Sequence, residues 1–238
     1  MGHWRDHLHI SPRSLASVQI DIKRTALMII DMQLYDLSRD HGLAFSAKKF
    51  PQMYDYFYNR IDNIVLPNNV LLLEYFREKH MPVVHITVGP EFKDGRDQIA
   101  RRRRREKTMS EETGVSFTFY RGSEAHKIHP RLQPIEGELV VNKNSTSAFT
   151  STGINYFLRN MDIGGLIITG VATNVCVETT ARVASDMGYE CVLVEDACAT
   201  FDQESHEATL KVFARFFGEV WSAEETVKNL NHLLQIGT

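Results

Sequence analysis

Six short apolar runs, each separated from the next by enough chain for a helix, constrain this sequence more than any other feature. They fall at 25–30, 82–88, 138–142, 165–169, 190–194 and 217–221. Between them lie stretches of helical composition, roughly 59–80, 151–160, 175–187 and 203–216. Ser222-Ala223-Glu224-Glu225 then has the form of a capping box, opening a last helix to about Leu234. An apolar run that ends abruptly in a charged residue reads as a buried parallel strand meeting a crevice. The alternation predicts an α/β fold: a doubly wound parallel sheet of about six strands with helices on both faces, a Rossmann-like three-layer sandwich. At 238 residues and 43% hydrophobic content, one domain over 1–238 is ample, with 1–24 as an N-terminal extension.

Charge and motif content exclude several classes of function. A net charge of −3 gives no reason to expect nucleic acid or a membrane surface as partner. No internal repeat, G-x-G-x-x-G, P-loop or H-E-x-x-H is found. No stretch reaches the roughly 18 apolar residues of a membrane span. The charged, histidine-bearing N-terminus lacks the apolar core of a signal peptide. Cys176, Cys191 and Cys198 form no C-x-x-C pair, and an odd number suits a reducing compartment. A soluble, cytoplasmic protein is expected, so the sequon Asn144-Ser145-Thr146 carries no meaning.

Three strand ends carry chemistry. Leu166-Ile167-Ile168-Thr169-Gly170-Val171-Ala172-Thr173-Asn174-Val175-Cys176-Val177 places a thiol where a helix over Cys176–Met187, ended by Gly188, should begin. The positive end of that helix is expected to lower the thiol pKa. Thr25-Ala26-Leu27-Met28-Ile29-Ile30-Asp31 ends in a carboxylate, and Glu138-Leu139-Val140-Val141-Asn142-Lys143 ends in an ammonium. Taken singly, a cysteine packs, an aspartate caps and a lysine is solvated more often than each reacts. On one edge of a parallel sheet, all three would converge.

These segments resemble those of the isochorismatase-like cysteine hydrolases, over nearly the whole chain from about Thr25 to Leu234. The matching motifs are Ile30-Asp31-Met32-Gln33, then Val141-Asn142-Lys143 with Ser147-Ala148-Phe149, and Thr169 through Val177. The resemblance implies an Asp31–Lys143–Cys176 triad and a non-proline cis peptide between Val171 and Ala172. It also implies a doubly wound sheet and a homo-oligomer, dimer or tetramer. In this scheme Asp31 takes the thiol proton, the Cys176 thiolate attacks an amide carbonyl, and the amides of Ala172 and Cys176 hold the oxyanion. The scheme calls for no cofactor and no metal.

Sibling activities can be ranked. Vinyl-ether hydrolases of this kind do not carry a cysteine nucleophile at this position, so an amidohydrolase is expected. Nicotinamidases carry an Asp-x-His metal motif after the second strand. Here Met81-Pro82-Val83-Val84-His85-Ile86-Thr87-Val88 runs into Gly89-Pro90-Glu91 without it, and His85 reads as a hydrogen-bonded core residue. The late segment Ala214-Arg215-Phe216-Phe217-Gly218-Glu219-Val220 most resembles the ureidoacrylate branch, which makes a small carbamoyl or ureido amide the expected substrate. A maleamate-like aliphatic amide, nicotinamide, a thiol redox sensor and a silent scaffold are the alternatives. Gln33, Tyr35, Phe149, Thr173 and Asn174 are the expected substrate contacts. Where the family has a short acidic-aromatic turn after Gln33, this chain has Leu34-Tyr35-Asp36-Leu37-Ser38.

Two stretches read as least sheet-like. One, 32–58, is rich in Tyr and Phe that would wall a pocket or a subunit contact. The other, 89–124, holds Arg101-Arg102-Arg103-Arg104-Arg105. On a helix these would point around the axis, at most two toward one pocket, so a solvated or intersubunit face is expected over a substrate clamp.

Overall fold

In the computed structural model, residues 4–8, 15–117 and 119–236 are described; part of the expected N-terminal extension lies outside them. Strands β1 (Thr25–Ile30), β2 (Val83–Val88), β3 (Leu139–Lys143), β4 (Gly165–Val171), β5 (Glu190–Ala199) and β6 (Glu219–Trp221) form one sheet, in the order β3-β2-β1-β4-β5-β6. Every pairing is parallel. The order reverses between β1 and β4, where an open α/β sheet leaves a crevice beyond its carboxyl ends.

Helices α1 (Leu34–Leu37), α2 (Leu43–Lys49), α3 (Pro51–Arg60) and α4 (Leu66–Glu78) lie between β1 and β2. Next come α5 (Ala100–Thr113), α6 (Ile154–Asn160), α7 (Glu178–Asp186), α8 (Gln203–Phe216) and α9 (Ala223–Ile236). Residues of β1 divide between two apolar layers, as a strand covered on both faces must. Leu27 and Ile29 pack with Phe57, Leu72, Phe76 and Leu230 of α3, α4 and α9. Ala26, Met28 and Ile30 pack with Ile154, Leu158, Ala181, Leu210 and Phe213 of α6, α7 and α8.

The helix expected over 59–80 starts earlier, because α3 and α4 run together through a π-helical turn at Ile61–Val65. Pro67 explains the turn: it has no N–H for the helical ladder, and widening the preceding turn removes the clash of its ring with the carbonyl four residues back. Asn69 exploits the loosened ladder, its Nδ2 donating to the carbonyls of Val65 (2.8 Å) and Ala197 (2.9 Å).

Gly170 has φ +115, and a Cβ there would stand 2.0 Å from the carbonyl oxygen of Ile30. Only glycine lets β4 approach β1 this closely, one residue before Asp31 and one before the Val171–Ala172 peptide. That peptide is cis. No described helix is long and apolar enough to cross a membrane.

Candidate active site

Asp31 follows the last residue of β1, in left-handed backbone with φ 54. Its amide is held by the carbonyl of Ile86 at 2.9 Å. Lys143 ends β3, two strands away in the sheet. Strands lie about 4.8 Å apart, so a side chain bridging from β3 to β1 across β2 must be long. Lysine meets that requirement. Its fully buried Nζ donates to Asp31 Oδ2 (2.9 Å), to the Ser145 carbonyl (3.1 Å) and to Cys176 Sγ (3.3 Å). All three ammonium protons therefore have acceptors.

Cys176 reaches the same point from the far side of β1. The helix expected from Cys176 begins three residues sooner, with a π-helical turn over Thr173–Val177 that runs into α7. Val175 and Val177 both donate their amides to the Ala172 carbonyl, at 3.0 and 3.2 Å, which fixes the turn directly after the cis peptide. π-turns often occur at functional sites, where they reposition one side chain.

The thiol is not acidified as the helix terminus alone would suggest. Burial pushes its pKa up to about 12, and the neighbouring Asp31 charge adds to the rise, against the lowering effect of Lys143. Lys143 moves up as well: burial opposes the ammonium, but Asp31 and Cys176 outweigh it. At rest Lys143 is therefore an ammonium beside a neutral thiol. Asp31 Oδ1 is a buried acceptor without a hydrogen-bond partner. It can receive a proton.

A cavity of about 380 Å³ opens onto Asp31 and Cys176, and Tyr35, Phe57, Val171, Ala172 and Phe201 are among its walls. Four of the expected substrate contacts do not line it. Gln33 is fully buried, its Nε2 donating to the carbonyls of Val88 (3.2 Å) and His126 (2.8 Å), and its Oε1 accepts the Val88 amide (2.7 Å). It fastens the end of β2 to the loop behind the site. Thr173 turns inward to His206 Nδ1 at 2.9 Å. Asn174 accepts from Thr200 Oγ1 at 2.7 Å. Phe149 packs on Tyr189, with ring centroids 5.7 Å apart. Tyr35 alone of the five faces the cavity, stacked 3.9 Å from Phe119.

His206 has its pKa lowered to about 3 by burial and by Arg60. Arg60 Nη2 lies 3.0 Å from Nε2 and can only donate, so His206 gives its Nδ1–H to Thr173. Arg60 also donates to the carbonyls of Cys198 (3.0 Å) and Glu195 (2.7 Å). This buried chain braces the turn that presents Cys176. Cys198 itself is buried in the sheet and does not line the cavity. His85 is a core residue as expected, 2.9 Å from Glu138 Oε2, with burial lowering its pKa.

Further cavity residues include three groups, of which the sequence marks only the arginine run. Asp36 is on α1, Asn144 to Thr146 follow Lys143, and Ile99, Arg101, Arg102, Arg105, Glu106 and Met109 belong to α5 and its start. Three of the five consecutive arginines face the cavity where at most two were expected. Arg101 and Arg105 lie about 40° apart around the helix and Arg102 lies within a third of a turn, so one side of α5 carries all three. Asp36 is pushed up to about 7 by burial and by the nearby Asp31 charge. Among the described residues no cluster of three or more His, Cys, Asp or Glu side chains is arranged to hold a metal.

Comparisons with known proteins bear on the family and the fold. The sequence model of the isochorismatase domain family matches residues 25–225. Nicotinamidase 3 of Arabidopsis thaliana is 36% identical over 104 residues, 42% of this chain and 52% of that protein. The ureidoacrylate amidohydrolase RutB of Acinetobacter baylyi is 35% identical over 106 residues, 44% of this chain and 43% of its own length. A cysteine hydrolase structure from Pseudomonas syringae pv. phaseolicola superposes with a TM-score of 0.73 at 23% identity, over 92% of this chain and 98% of that one. At that identity the likeness speaks to the fold.

Proposed function

The chain belongs to the isochorismatase family of hydrolases, and from that membership and the site geometry we propose that it is a cysteine-dependent amidohydrolase of a small carbamoyl or ureido amide. One observation carries the reading: a single buried lysine donates to both a carboxylate with a vacant acceptor oxygen and a thiol.

Asp31 takes the thiol proton on Oδ1, and the thiolate left behind is paired with the Lys143 ammonium. Sulfur attacks the carbonyl carbon, whose oxygen becomes an oxyanion held by the amides of Ala172 and Cys176, donors worth about 3–4 kcal/mol each at such sites. Collapse breaks the C–N bond as Asp31 returns the proton to nitrogen. Ammonia leaves and a thioester remains. Water then gives a proton to Asp31 and attacks the thioester, and the released thiolate recovers the proton. Each step needs Asp31 to lose and regain one proton beside a fixed cation, which the Lys143 contact provides.

Nicotinamide stays as a second reading because of the partial match to a plant nicotinamidase. The test is ammonia release from ureidoacrylate-like compounds, N-carbamoylsarcosine, biuret, maleamate and nicotinamide. A ureide should turn over fastest, and Cys176→Ser should lower its rate by at least about 10³-fold. Equal release by both proteins would end the proposal.

A further inference from the structure

Among the residues that line the cavity, the buried side-chain atoms left without a hydrogen-bond partner are all acceptors: Asp31 Oδ1, Glu106 Oε2 and Asn144 Oδ1. Asn144 is oriented by its Nδ2, which donates to the Asp97 carbonyl (2.7 Å) and to Asp97 Oδ2 (3.0 Å), so its free atom is the oxygen. Glu106 Oε1 already accepts from Arg102 (2.9 Å) and Gln98 (3.1 Å). Asp36 adds a carboxyl that a ligand can reach. It lines the cavity, is only partly buried, and makes no side-chain hydrogen bond or ion pair. Its backbone is held all the same. The amides of Leu34 and Tyr35 donate to the carbonyls of Lys127 and Ala125, each at 2.8 Å, and Tyr35 stacks on Phe119. A fixed, reachable and unpaired acceptor calls for a ligand that brings N–H groups.

We propose that Asp36 selects the substrate, accepting the N–H groups of a ureide on the edge opposite the carbonyl oxygen while the carbonyl carbon lies at Cys176. This rests on the amidohydrolase reading and assigns the residue that tells a ureide from a plain amide. In R–NH–CO–NH2 each nitrogen turns one N–H away from the carbonyl oxygen, and the pair lies side by side, matching the two oxygens of a carboxylate. An amide of the same shape, R–CH2–CO–NH2, offers one. A site built to bond an N–H discriminates against the analogue that lacks it, because an acceptor is then left unpaired. The charges acting on Asp36 are Asp31 at the end of β1, Lys143 at the end of β3, and Arg102 and Arg105 on α5. Tyr35, Arg101, Glu106 and Cys176 are the other ionisable side chains of the lining. Burial and Asp31 hold the Asp36 pKa up at about 7, so the carboxylate, the stronger acceptor, forms as pH rises through neutrality.

The test compares a series of alkyl and aryl ureas with the amides that replace their inner N–H by CH2, such as propylurea with pentanamide. All are uncharged. One arm measures equilibrium binding to Cys176→Ala protein by calorimetry from about pH 5 to pH 8, which needs no turnover. The other measures ammonia release by the protein with its cysteine intact. Ureides should bind at least about tenfold more tightly than their amides at the upper pH, and the advantage should shrink toward the lower. Asp36→Asn should make the ratio independent of pH, and Asp36→Ala should bring it close to one. Glu111→Ala removes an exposed carboxylate of α5 outside the cavity and should change neither the ratio nor its pH dependence. The pH series on protein with Asp36 intact needs no variant at that position to fold. Equal binding of ureides and amides, binding of neither, or an equal effect of Asp36→Ala and Glu111→Ala overturns the assignment. Cysteine-dependent turnover without ureide preference would retain the enzyme and discard the role of Asp36. Ureide-selective binding lost in Asp36→Ala, without any turnover, would retain that role and discard the amidohydrolase.

Discussion

The cavity has two walls of opposite construction. On the sheet side, Asp31, Lys143 and Cys176 sit at strand ends or one turn beyond, and the lysine has an acceptor for each of its protons. On the α5 side, Arg101 and Arg105 project exposed from a surface helix, and Arg102 is held by Glu106 of the same helix. The first wall inherits its precision from sheet register: β2 pairs Val88 with Lys143, and β1 pairs Ile30 with both Ile86 and Gly170. The second wall is positioned by side chains that solvent can reach. The Lys143 contacts belong to the part of the fold that cannot move without unfolding. The exposed α5 arginines belong to the part that can change cheaply.

Lys143→Met should expose that difference most severely. It leaves the Asp31 carboxylate buried with neither oxygen bonded to a cation, a situation that costs about 3–5 kcal/mol. Urea denaturation should show that loss, and any amide turnover should fall with it by at least about 10³-fold. Arg104→Gln, on the helix of the other wall but outside the cavity, should change stability by less than about 0.5 kcal/mol. A small effect at Lys143 would mean that the sheet wall is not the rigid one.

Gly170→Ala is next in size. Its Cβ would meet a backbone oxygen at 2.0 Å, and neither β1 nor β4 can yield without disturbing Asp31 or the Cys176 turn. The expected loss is about 3 kcal/mol or more, read as a drop in Tm of roughly 6–12 °C for a chain of this size. Gly122 also has positive φ, +90, but nothing lies within 4 Å of a Cβ there. Gly122→Ala should cost only the left-handed backbone penalty, about 1–2 kcal/mol. Equal losses at the two positions would remove the claim that close approach at the β1–β4 reversal sets the site.

What could be read from the sequence follows the same division. Buried parallel strands are continuous apolar runs, so their number and charged ends are written in the chain itself. Contacts read from nearness in sequence were less secure. Gln33, Phe149, Thr173 and Asn174 lie close to site residues along the chain, yet each side chain turns away, to the end of β2, Tyr189, His206 and Thr200 respectively. The arginine run was visible, but which side of α5 meets the cavity is decided by how that helix packs, and no local pattern records it. The Cys176 pKa went astray for a related reason. A helix terminus is legible locally, whereas burial beside Asp31 arises only on folding and is larger.

Asp36 gives the smallest and most discriminating effect, because it stands between the walls. It lies on α1, one helical turn after β1, and its carboxyl feels Asp31 on one side and Arg102, Lys143 and Arg105 on the other. Burial and Asp31 prevail, raising the pKa from 3.8 to about 7. Between those two pH values the folded protein keeps a proton that the unfolded chain has lost, so this group makes stability fall as pH rises through the window. Above about pH 7 both states are ionised and the loss is complete. Asp36→Asn cannot ionise, so its stability relative to the unsubstituted protein should grow from pH 4 to pH 7 and then level off. Allowing for screening of a partly exposed group, the full difference should be about 1–2 kcal/mol, measured as urea midpoints across that range. A difference that is flat with pH would show that the α5 arginines already neutralise Asp36. In that case Arg105 would be engaged within the protein, and the two walls would share a charge network.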